Sequence, residues 1–157
     1  MLESLRKLFG ELGSLDQRKL FDEGDYRVAA AALLVHAITI DGAVTDAERA
    51  RLHDVLKTRF SLDEAQTAEL IEQATQAEGE AVDLYHFTRL INRSLDEDGR
   101  KRIIEMMWEM IYADRHVNEF EDNVVWRVAD LLGVSSRERI GLRQQVEAAQ
   151  TNVETTD

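Results

Sequence analysis

Residues 40–48 read IDGAVTDAE, and residues 113–121 read ADRHVNEFE. Both run through a small or apolar residue, Asp, two variable positions, Val, a polar residue, an acid, one variable position and Glu. Asp41 thus pairs with Asp114, Val44 with Val117 and Glu48 with Glu121. The same offset sets Leu33 on Met106, Leu34 on Met107, Val35 on Trp108 and Ile38 on Ile111 upstream, and Leu52 on Val125 and Val55 on Val128 downstream. Each half holds an apolar helix, an acidic turn and an amphipathic helix, so one hairpin is written twice. The expected fold is all-α: a compact bundle of about seven to eight helices with an internal pseudo-twofold repeat of helix–acidic turn–helix hairpins.

Outward from the corners the chain stays helical. Tyr26 to Ile40 is Ala-rich and nearly all apolar, the mark of a central buried helix. Thr45/Glu48, Ser61/Glu64, Asn118/Glu121 and Ser135/Glu138 each place a capping side chain three residues before Glu, which predicts four helix starts. Residues 64–76 and 83–94 read as helices parted by a turn near Gly79, and 96–113 as a core helix carrying Ile103, Ile104, Met107, Trp108 and Ile111. Trp108, Trp126, Met106, Met107 and Met110 form a stripe expected to pack in the core. The acids of 96–98 ahead of Arg100, Lys101 and Arg102 mark a helix start followed by a solvated face. No stretch sustains an alternation of period two.

The domain proper therefore spans 26–149, with a flexible tail over 150–157. Ahead of it lie a polar link, 13–25, and a short helix, 2–12, with Leu2, Leu5, Leu8 and Phe9 on one face. That helix can dock on the domain or lie on a membrane surface; with only two basic residues beside it, docking is favoured.

Composition narrows the function classes. The chain has 157 residues, no proline, no cysteine and a formal charge of −12. Helices can run uninterrupted, and no disulfide, thiolate metal site or cysteine nucleophile is available. Such negative charge repels phosphate and argues against nucleic acid, while suiting cations or a basic partner. No signal peptide or membrane-spanning stretch is read, so a cytoplasmic location is expected. Nucleophile elbow, phosphate loop, zinc signature and glycine-rich cofactor loop are all missing, and an enzyme is not expected. A hydrolase built on the same acids needs a concave pocket that joins them.

Half of the repeated acids have a structural account. Glu48 and Glu121 stand at the third position of capping boxes, and Asp46 and Glu119 are first-turn acids that favour the helix dipole. Asp41 and Asp114 follow the end of an apolar helix, where the dipole disfavours negative charge. Either backbone bonds in a turn or a bound cation can rescue them. Oxygen ligands of this kind suit calcium, magnesium or manganese. The loop is too short for an EF-hand and lacks its Asp/Asn ladder, and a carboxylate-bridged di-iron bundle needs Glu-x-x-His pairs where this chain has only Asp83-x-x-His86. His36, on the buried helix, aligns with Glu109 by the repeat. It reads as a hydrogen-bonded boundary residue unless Glu109 or Asp41 approaches it. His53 and His86 read as ordinary, partly exposed helix positions.

The apolar helix followed by (A/I)DG-x-V-(T/N)-x-x-E and an amphipathic helix, repeated once over about residues 26–146, resembles the TerB-like family of tellurite-resistance-associated proteins. The resemblance implies a compact helical bundle with an acidic surface that binds divalent cations, in metal or oxyanion stress and membrane-linked complexes. Related domains accompany J-domains in co-chaperones, but no His-Pro-Asp signature is present. By position the motif falls on Asp41, Gly42 and Glu48, and on Asp114 and Glu121. Arg115 replaces glycine in the second copy and can neutralise Asp114, so the first corner is the stronger candidate. The candidate metal ligands are Asp41, Glu48, Asp114 and Glu121, with His36, Asp46, Glu109 and Glu119 behind them. The expected function is a non-enzymatic cation-binding module of the tellurite stress response with an unidentified partner, basic or membrane-associated. The rival is an acidic protein-interaction scaffold that needs no metal.

Overall fold

In the computed structural model, which describes residues 21–22, 24–40, 42, 44–112 and 119–155, Asp25 opens the first helix. Its Oδ1 accepts the Arg27 N–H at 2.9 Å, and Arg27 returns Nη2 to Oδ2 at 2.7 Å. Helix α1, Tyr26–Thr39, has no polar face: Ala29 to Leu34 are wholly buried. A helix apolar all round belongs at the centre of a fold. Around it run α2 (Asp46–Arg59), α3 (Glu64–Glu80), α4 (Tyr85–Ser94), α5 (Glu97–Ile111), α6 (Glu119–Leu131) and α7 (Ser136–Thr155). No strand occurs among the described residues. The fold is all-α, as the periodicity predicts.

Helix α1 packs on α2, α3, α4, α5 and α6. The halves also cross: α2 rests on α5, and α6 rests on α1. The apolar positions aligned by the repeat are buried in both halves, from Leu34 with Met107 to Val55 with Val128. The correspondence reaches the third helix of each half. After α2, Leu62 N–H donates to Lys57 O at 3.0 Å and Ser61 has φ +53°. After α6, Val134 N–H donates to Ala129 O at 2.8 Å and Gly133 has φ +73°. Both are Schellman closures, with the left-handed residue just past the helix. A capping box then starts α3 from Asp63 and Gln66, and another starts α7 from Ser135 and Glu138.

Several expectations shift. Ser61 does not cap α3, because its left-handed backbone belongs to the end of α2; Asp63 caps instead. Gly79 lies within α3, and the turn falls after Glu80. Trp126 is 48% exposed, whereas Trp108, Met106, Met107 and Met110 are buried. Val124, Val125, Val128 and Ala129 define the inner face of α6 and leave Trp126 opposite. Helix α7 continues past Ala149 to Thr155. The helix expected over 2–12 and the cap Asn118 lie outside the described residues.

Candidate functional site: the acidic corners and the cleft beside α1

At the first corner α1 ends at Thr39, and Gly42 N–H donates to Thr39 O at 3.0 Å. Gly42 has φ +102°, a conformation only glycine adopts without strain, and no atom lies where a Cβ would point. The turn thus selects glycine through its backbone. Asp41 and Ala43 lie outside the described residues. Two residues on, Thr45 caps α2: its Oγ1 accepts the Glu48 N–H at 3.1 Å. Glu48 Oε1 accepts the Thr45 N–H at 3.2 Å and its hydroxyl at 3.0 Å. Both bonds fall on Oε1, so the box does not use Oε2. Asp46 is exposed in the first turn, as the dipole account expects.

Of the second corner, Asp114, Arg115 and His116 lie outside the described residues. Glu119 is exposed in the first turn of α6, and Glu121 is half-buried and engaged by its surroundings.

The pair aligned by the repeat, His36 and Glu109, go to separate partners. His36 Nδ1 lies 3.1 Å from Glu78 Oε1, joining α1 to α3. Glu109 and Glu105 both accept from Arg59 and join α5 to α2. Burial works against the Arg59 charge, but the bonds to Glu109 and Glu105 prevail and hold its pKa above the ordinary guanidinium value. Among the described residues, no three His, Cys, Asp or Glu side chains stand together as a metal site. The described candidates occupy several places rather than one.

The His36–Glu78 pair opens on a cleft of about 240 Å³, which Asp83, Val82 and Arg127 also line. The cleft adjoins a groove of about 690 Å³ between α1, α3 and α4, and the two share Ala81, Val82, Asp83 and Phe87. His36 as the lone ionisable side chain within the buried stretch of α1 was the available signal for a partner. Nothing in the sequence pointed to Glu78, which sits in a helix of solvated acids. The groove's signal was Val82, an apolar residue in a turn, and it is fully exposed. The cleft offers an imidazole, carboxylates and a guanidinium, groups that bind and orient; no Ser, Thr, Cys or Lys is among its described lining residues.

No helix among the described residues is long and apolar enough to cross a membrane. No curated protein and no solved structure matches the chain. The family model described as tellurite resistance protein TerB does match, over residues 27–144, from the first turn of α1 into α7. The chain, with its apolar central helix, glycine turn and capped second helix inside that span, belongs to the tellurite resistance protein TerB family.

Proposed function

We propose that this TerB-family module binds a divalent cation at its first acidic corner and serves the tellurite and metal stress response without catalysing a reaction. The observation that carries the reading is the state of Glu48. Its Oε1 is fixed by Thr45, so the carboxylate is oriented, while Oε2 takes no part in the cap. Asp41 follows the end of α1 directly, where a cation relieves the unfavourable charge–dipole contact. Asp41 and Glu48 supply hard oxygen ligands, and water completes the shell of calcium, magnesium or manganese. So few protein ligands imply weak binding, with a dissociation constant of about 0.1–1 mM. Asp114 and Glu121 form a weaker counterpart, because Arg115 stands where the first corner has Gly42. His36 and Glu109 are committed to Glu78 and Arg59, and Asp46 and Glu119 contribute field rather than ligation.

A second reading, a metal-free acidic face for a basic partner, has its own support. The capping box already accounts for Glu48, and the described residues assemble no three-ligand cluster. Calorimetric titration of calcium, magnesium and manganese separates the two. Saturable heat that is lost in both Asp41→Asn and Glu48→Gln supports the cation site. Absence of heat with all three ions leaves the partner-binding reading.

A further inference from the structure

We propose that the groove between α1, α3 and α4 is the seat of the chain's own N-terminal segment, residues 2–12. Its floor is apolar, with Val28, Ala77, Phe87 and Leu90, and its rim carries the carboxylates of Glu80 and Asp83. The segment has matching chemistry: Leu2, Leu5, Leu8 and Phe9 recur at helical spacing, with Arg6 and Lys7 among them. Seated there, the apolar face covers the floor and the two cations meet the acidic rim.

The chain enters the described fold at this groove. Phe21 is buried, and its carbonyl accepts from Gln73 Nε2 at 3.1 Å. Gln73 also lines the groove, and its Oε1 is buried with no hydrogen-bond partner. An orphaned buried acceptor is unfavourable and calls for a donor at that spot. The link from residue 12 to Phe21 spans up to roughly 30 Å when extended, more than a segment anchored at the mouth requires. So short a tether holds the segment at roughly millimolar effective concentration, so even a weak contact keeps it seated.

Among the described residues, the corresponding face of the second half is covered by ion pairs. The repeat sets Lys101 and Arg102 on Val28 and Ala29. Lys101 reaches Glu138 at 2.6 Å and Glu97 at 3.4 Å, which covers that face with ion pairs.

The 157-residue sequence has no cysteine, which makes the test clean. A nitroxide on Glu11→Cys is read through amide signals of Val82, Asp83 and His86. These signals are expected to lose roughly half their intensity or more when label and ¹⁵N are on the same chain. They should recover when Leu5→Asp and Leu8→Asp are added, with the melting temperature of the domain unchanged. Three results overturn the proposal: full intensity in the parent chain, attenuation that persists in the Asp variant, and attenuation that requires label and ¹⁵N on different molecules. The second shows mere tethering, and the third shows a second copy in the groove.

Discussion

The best-defined charged residues in this protein work on helix ends and helix joints. Asp25 caps α1 while Arg27 grips both its oxygens and lies 4.6 Å from the centre of the Phe21 ring. Burial raises the Asp25 pKa, but the hydrogen bonds and charge of Arg27 outweigh it, and the carboxyl sits below its ordinary 3.8. A depressed pKa contributes stability above the unfolded-state value, and that stability is lost as pH falls through the folded value. Asp25→Asn keeps an oxygen for the cap and removes the charge. It is therefore expected to lower the urea midpoint at pH 7 and to flatten its decline below pH about 4 relative to the parent. An unchanged acid limb would show that Arg27 adds nothing to the folded state. Arg59 makes the complementary case, since it alone joins Glu105 and Glu109 to α2 through side-chain ion pairs among the described residues. Arg59→Met leaves two half-buried carboxylates without their partner and should cost about 2 kcal/mol in urea unfolding. Glu109→Gln in the Arg59→Met background should recover part of that loss, which a double-mutant cycle reads directly.

At the scale of elements, helix ends decide where each half turns. Caps were legible in the sequence because they are three-residue affairs, and Thr45/Glu48 and Ser135/Glu138 form as the spacing predicts. Ser61 misled because two local rules compete for it, and the Schellman closure of α2 prevails over the cap of α3. That outcome stores a small strain. A non-glycine residue in the left-handed region costs about 1 kcal/mol, and the equivalent position after α6 is Gly133. Ser61→Gly is thus expected to stabilise the protein by about 1 kcal/mol, and Gly133→Ser to destabilise it similarly, in thermal unfolding. Gly42 is more demanding at φ +102°. Gly42→Ala meets no neighbouring atom, so any loss, about 1–3 kcal/mol, is backbone strain alone. The partnership of His36 with Glu78 was illegible for the opposite reason. It spans 42 positions and depends on how α3 lies against α1, which no local rule fixes.

Across the whole molecule, α1 joins the two halves. The repeat was visible in the sequence because paired core positions carry paired apolar residues, and those paired positions are buried in both halves. Less visible was the division of labour. The first half devotes its apolar helix to the centre, packed against α3 and α4 on its own side and against α5 and α6 from the other. Helix α5 keeps a charged flank, with Glu105 and Glu109 turned to Arg59. A central helix without a solvated face cannot stand once either side departs, so the halves should unfold as one unit. Leu34, wholly buried on α1, is the place to test this. Leu34→Ala should cost about 3 kcal/mol through lost burial and an unfilled cavity. In native-state hydrogen exchange the loss should appear equally at Leu70 in α3 and at Val146 in α7, two buried positions on opposite halves. Equal loss follows if the slowest amides on both sides exchange only through global opening. If Val146 keeps its protection while Leu70 loses it, the second half stands without the first, and the core is two joined units rather than one.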